Sequence, residues 1–166
     1  MPKHLNKFQF NQELPINYID AEPFALNNEL SFFHNKNKFR KELNKLQYLF
    51  SEYTGTPLLA SGIRDSYLSE KLSERFLIVL FTGNEIITNA NSIIGKHQNI
   101  ELKPNCFYLE SSSNYMLLLS KDFEGLVSGI DVMLSIFKQV FEDYLQKGDF
   151  EDVVRIQPFT LLDCKE

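Results

Sequence analysis

Between Asp122 and Tyr144 runs the longest regular pattern in the chain, and it constrains the fold more than any other feature. Apolar residues at Phe123, Leu126, Val127, Ile130, Met133, Leu134, Phe137, Val140, Phe141 and Tyr144 recur three or four apart. That spacing places them on one stripe of a helix, over about 123–144. Asp122 stands where an N-cap belongs, its carboxylate able to accept the free N–H groups of the first turn. Gly125 and Gly129 fall inside the first turns. Each costs a helix about 1 kcal/mol relative to alanine, so a packing reason is required. Without a Cβ, the helix can lie directly against a neighbouring backbone or bulky side chain.

A helix with one greasy face needs a layer to cover it. Phe107–Glu110 and Tyr115–Leu119, separated by Ser111-Ser112-Ser113-Asn114, read as a hairpin immediately upstream. Arg75–Phe81 is a near-continuous apolar run ended by Thr82-Gly83-Asn84, the pattern of a strand buried on both faces. Val153–Ile156 and Leu161–Asp163 supply further strand material. Nearer the start, Phe24–Leu26 and Leu30–Phe33 flank Asn27-Asn28, and the spacing predicts a second hairpin. A second helix is expected over 38–53, from Phe39, Leu43, Leu46, Phe50 and Tyr53, stopping near Gly55. Its Lys38, Arg40, Lys41 and Lys45 read as a solvated face. Residues 56–74 form the least regular stretch, and 85–102 alternate weakly. The expected architecture is α+β: a mixed, mostly antiparallel sheet of about six strands with two α-helices packed on one face. Residues 1–13 are expected as a loose tail and 14–166 as a single domain.

Composition bounds the function. A chain of 166 residues with 43% hydrophobic and 23% charged residues has the balance of a globular domain. Its net charge of −5 argues against nucleic acid as the main partner, since that interaction needs a concentrated basic face. No apolar run approaches the roughly 20 residues of a membrane span. With no signal core after Met1-Pro2-Lys3-His4, the sequence as written reads as cytoplasmic. That setting favours free thiols at Cys106 and Cys164, although the two could pair if the fold brought them together.

Candidates for chemistry are sparse. His4, His34 and His97 lack partners at ligand spacing, so no metal site is expected. No glycine-rich loop of the phosphate-binding kind occurs, and no cofactor is expected. Cys106 and His97 are the one nucleophile–base combination, and a half-buried structural thiol is the plainer reading of Cys106. Carboxylates crowd the last third (Glu124, Asp131, Glu142, Asp143, Asp149, Glu151, Asp152, Asp163 and Glu166), mostly on the polar side of the long helix or in the loop after it. An acid/base pair instead needs a cleft that drives two pKa values apart. We therefore assign no catalytic, cofactor-binding or metal residue.

Phe107-Tyr108-Leu109-Glu110, the strand Tyr115–Leu119, and Asp122-x-x-Gly125-Leu126-x-x-Gly129 with Leu134 together resemble one accessory domain. It is the N-terminal, non-catalytic domain of the glycoside hydrolase family 20 β-N-acetylhexosaminidases and related glycosidases. The elements from Leu14 to Asp163 fall in the same order, with the most specific part near 60 residues. The resemblance implies an antiparallel sheet with two helices on one face, beside a (β/α)₈ barrel that performs the chemistry. The barrel's His-x-Gly-Gly-Asp-Glu motif does not occur here, so no catalytic residue transfers. Val132–Ile136 replaces the family's Thr-Leu-x-Gln-Leu, and Leu161–Glu166 keeps the Asp but not the Pro-Arg of the passage into the barrel. Two readings follow. In the first, the chain supports a catalytic barrel carried by a longer parent, which would be exported if it resembles its family. In the second, it is a free-standing module binding a glycan or a protein, with Tyr18, Tyr48 and Tyr67 as stacking candidates in a chain without Trp.

Overall fold

The structure is a computed structural model. It describes residues 7–10, 13–26, 31–34, 40–54, 60–62, 76–81, 102–113, 115–146 and 154–164. In chain order the elements are β1 (Ile16–Tyr18), β2 (Phe24–Leu26), β3 (Ser31–His34), α1 (Arg40–Thr54), β4 (Ala60–Gly62), β5 (Phe76–Phe81), β6 (Cys106–Ser111), β7 (Tyr115–Ser120), α2 (Phe123–Gln146), β8 (Val154–Ile156) and β9 (Phe159–Cys164).

Class α+β holds, and both helices lie within two residues of their expected starts and stops. The sheet is larger and less antiparallel than expected. Among the described residues, seven strands form one sheet in the order β1-β9-β6-β7-β5-β3-β4, and β2 and β8 form a separate two-stranded sheet. The β1–β9, β9–β6 and β6–β7 pairings are antiparallel, whereas β7–β5, β5–β3 and β3–β4 are parallel. Helix α1 is the crossover between β3 and β4, because neighbouring parallel strands cannot be joined by a tight turn.

The hairpin expected at 24–33 does not form. Phe24 pairs with Ile156 in the small sheet, while Phe32 pairs with Leu77 and Ala60 in the large one. Asn27-Asn28 carries the local chemistry of a turn, but strand partners are chosen by long-range burial, and Phe24 and Ile156 are both fully buried. The hairpin of β6 and β7 does form, with Phe107 opposite Ser120 and Ser111 opposite Met116. Its connection is closed by the Ser112 N–H donating to the Tyr115 carbonyl at 2.8 Å.

One core joins both helices to the sheet. Leu126, Ile130, Met133, Phe137, Val140 and Phe141 of α2 meet Phe107 and Leu109 of β6 and Met116 and Leu118 of β7. Ile136 is also fully buried, whereas Phe123 at the helix start is 43% exposed, so the stripe is displaced from the one read off the sequence. Helix α1 lies against α2 and contributes Leu43, Leu46 and Phe50. Residues 7–10, expected within a loose tail, are held in place. Phe8 is buried, with its ring 5.7 Å from that of Phe159. Gln9 donates its N–H to Gln139 Oε1 at 2.7 Å, and Gln139 Nε2 donates back to the Gln9 carbonyl at 2.6 Å.

Candidate functional site

The seat of α2 on the β6–β7 hairpin is tightly built. A Cβ on Gly125 would collide with the Cys106 carbonyl oxygen and come within 3.0 Å of its carbon. A Cβ on Gly129 would collide with the Leu118 side chain. Both glycines thus face the sheet, and the cost of each to the helix is offset by close packing, on backbone at Gly125 and on the Leu118 side chain at Gly129. Asp122 acts as the expected N-cap: Oδ1 accepts from the Gly125 N–H at 2.8 Å, and its carbonyl accepts from Leu126 at 3.0 Å. Its other oxygen, Oδ2, accepts from the Asn105 N–H at 2.8 Å. Asn105 has φ 65°, a conformation that asparagine tolerates better than most side chains. One carboxylate therefore ties the helix start to the turn leading into β6.

Cys106 and Cys164 lie opposite each other at the ends of β6 and β9, and they are joined as a disulfide with Cα atoms 3.9 Å apart. This corrects the expectation of free thiols. Their separation of 58 residues carries no pairing signal; the antiparallel register creates the proximity. Cys106 is accordingly no nucleophile, and His97 lies outside the described residues.

A second cluster stands on the face of β6 away from α2. Glu110 accepts from the Tyr108 hydroxyl at 2.9 Å and from the Tyr115 hydroxyl at 2.5 Å. Tyr108 and Glu110 are two apart on one strand, and Tyr115 reaches across the hairpin diagonally. Burial, then the negative charge of Glu110 and the bond to it, push the Tyr108 hydroxyl well above its ordinary pKa. With a hydrogen bond on each oxygen, Glu110 is a structural acceptor rather than a proton shuttle. Glu110 was absent from the carboxylates singled out in the sequence. The available signal was the alternation Tyr108-x-Glu110 beside a turn, which puts both groups on one face.

The sequence-selected carboxylates are not gathered. Glu124 and Asp131 are exposed on α2, Asp143 and Asp163 are half-buried on different elements, and exposed Glu142 accepts from the Tyr53 hydroxyl at 3.0 Å. Asp149, Glu151, Asp152 and Glu166 lie outside the described residues, as do His4 and Tyr67. His34 ends β3. Among the described residues, no group of three or more potential ligands could hold a metal, and no helix is long and apolar enough to cross a membrane. Lys41 and Lys45 are exposed on α1, as expected of a solvated face. Of the candidate stacking residues, Tyr18 is engaged: its hydroxyl accepts from the Phe8 N–H at 2.8 Å and its ring packs on Phe8. Tyr48 is 74% exposed on α1.

No protein-family model matches the sequence, and no curated protein does. Solved structures match by shape. A GH20 exo-β-N-acetylglucosaminidase from Vibrio harveyi, in complex with N-acetylglucosamine, superposes with a TM-score of 0.59 at 9% identity, covering 98% of this chain and 20% of that one. An inactive mutant of the enzyme gives the same TM-score at 10% identity, covering 99% and 20%. CpGH84D matches with a TM-score of 0.61 at 12% identity, covering 95% of this chain and 24% of its own. The chain thus spans about a fifth to a quarter of the glycoside hydrolase chains it matches, and at these identities what it shares with them is a fold.

Proposed function

We propose that this chain is a non-catalytic accessory domain of a β-N-acetylhexosaminidase-like glycoside hydrolase, supporting a (β/α)₈ catalytic barrel carried elsewhere in a longer parent. The observation that carries the reading is the seat of α2. Asp122, Gly125 and Gly129 belong to the motif behind the family resemblance, and in the structure they make the cap and the two close approaches to the hairpin. The matches add support, because nearly all of this chain corresponds to only 20–24% of chains from glycoside hydrolases. The barrel of such an enzyme alone takes about 250 residues.

The polypeptide by itself should not hydrolyse a chromogenic N-acetylglucosaminide. Turnover that disappears on substituting an internal carboxylate would overturn the assignment of chemistry to a separate barrel. The alternative, a free-standing module that binds a glycan, is favoured by one observation, the 74% exposure of Tyr48. The chain has no Trp and seven Tyr, so its intrinsic fluorescence is tyrosine emission, and the share due to Tyr48 is the part lost in Tyr48→Ala. Saturable quenching by chito-oligosaccharides, lost in Tyr48→Ala, would move the assignment to that reading.

A further inference from the structure

We propose that the Cys106–Cys164 disulfide is a redox-operated latch on the last strand, opened by a dithiol reductant without unfolding the domain. The inference is independent of the accessory-domain reading.

The two sulfurs differ in surroundings. Cys106 is 2% exposed, whereas Cys164 is exposed at the end of β9. A thiolate from solvent therefore meets Cys164 Sγ first. Attack there forms a mixed disulfide on Cys164 and releases Cys106 as a thiolate, which takes up a proton. The second thiol of the reductant then displaces Cys164. In sum, two electrons and two protons pass from the dithiol to the protein, and the dithiol leaves as its own disulfide.

Both redox states are accommodated. After reduction, the Cys106 thiol has an acceptor already in place, since its Sγ lies 3.5 Å from the Pro104 carbonyl oxygen. A buried thiol packs as a small apolar side chain, so no uncompensated polar group remains. The turn before β6 stays tied to α2 through Asp122 and Asn105, and to itself through the Cys106 N–H donating to the Lys103 carbonyl at 3.2 Å. On β9 the anchoring is uneven along the strand. Phe159 and Leu161 are buried in the core, but Asp163, next on the same face, is only half-buried, and Cys164 lies at the surface. Opening the disulfide therefore frees the end of β9 from about Leu162 onward, while Phe159 and Leu161 hold the rest. The latch sets how firmly the end of the last strand is fixed to the sheet.

The test uses the whole 166-residue chain, titrated with dithiothreitol under native conditions. Alkylation read by mass spectrometry should label no cysteine before reduction and should then label Cys164 well ahead of Cys106. Hydrogen exchange at the Asp163 amide, which faces β6 across from Phe107, should accelerate at least tenfold on reduction, with the Leu117 and Ile136 amides unchanged. Cys164→Ser should reproduce that exchange pattern without reductant. Three results would each overturn the proposal: resistance to reduction except in denaturant, loss of the far-ultraviolet circular dichroism on reduction, or reduction with no change in exchange.

Discussion

The two halves of α2 solve opposite packing problems. Its first turns come so close to the sheet that a Cβ would meet a carbonyl at Gly125 and would have to displace the Leu118 side chain at Gly129. Its later turns are spaced by rings. Phe137 and Phe141 meet Phe50 of α1 edge-on, with centroids 5.1 and 5.4 Å away, and Tyr53 stacks on Phe141 at 5.2 Å. One helix thus uses the smallest residue where its neighbour is the hairpin and the largest where its neighbour is another helix. The lesson is about which change each end resists: shrinking a ring leaves a cavity, whereas enlarging a glycine drives a side chain into the hairpin.

The sharpest challenge to that contrast is at the aromatic end. Phe137→Ala should lower stability by about 3–5 kcal/mol in chemical denaturation, because the side chain is fully buried and its cavity has walls of other rings. A loss below about 1 kcal/mol would mean that α1 and α2 can close over the gap. At the glycine end, Gly125→Leu should cost up to about 3 kcal/mol through overpacking against backbone. Gly129→Ala should cost less, since its obstacle is a leucine side chain and alanine recovers about 1 kcal/mol of helix propensity. Equal losses for the same replacement, Gly125→Ala and Gly129→Ala, would erase the distinction between carbonyl and side-chain neighbours.

The smallest effect concerns Tyr53. Burial first, then its hydrogen bond to Glu142, raise its pKa above that of an ordinary tyrosine. The protonated form is thus favoured by the fold, so this contribution is complete below about pH 10 and is lost as pH rises beyond it. Tyr53→Phe should therefore narrow the stability difference from wild type above pH 10. A difference that is constant with pH would show that the hydroxyl contributes nothing to the α1–α2 contact.

Legibility followed the range of the interactions. The two helices, the β6–β7 hairpin and β5 could be read because their periodicity and turn residues are local. The Asp122 cap and the glycine approach were legible for the same reason. By contrast, β4 is Ala60-Ser61-Gly62, small residues of low strand propensity, and it becomes a strand because β3 offers a parallel edge. The partner of Phe24 is 132 residues away at Ile156, and Asn27-Asn28 pointed to the wrong neighbour. The disulfide was hidden likewise, since register across β6 and β9 creates it. The Glu110 cluster was half legible, as alternation aligns Tyr108 with Glu110 and the hairpin then delivers Tyr115.

Phe8 has a practical corollary. Its ring fills space between Phe159 and Tyr18, and Gln9 is clasped to the side of α2, so this short stretch works as a wedge driven in from the amino terminus. Trimming the polypeptide past Phe8 for crystallisation or fusion would leave a hole in its interior.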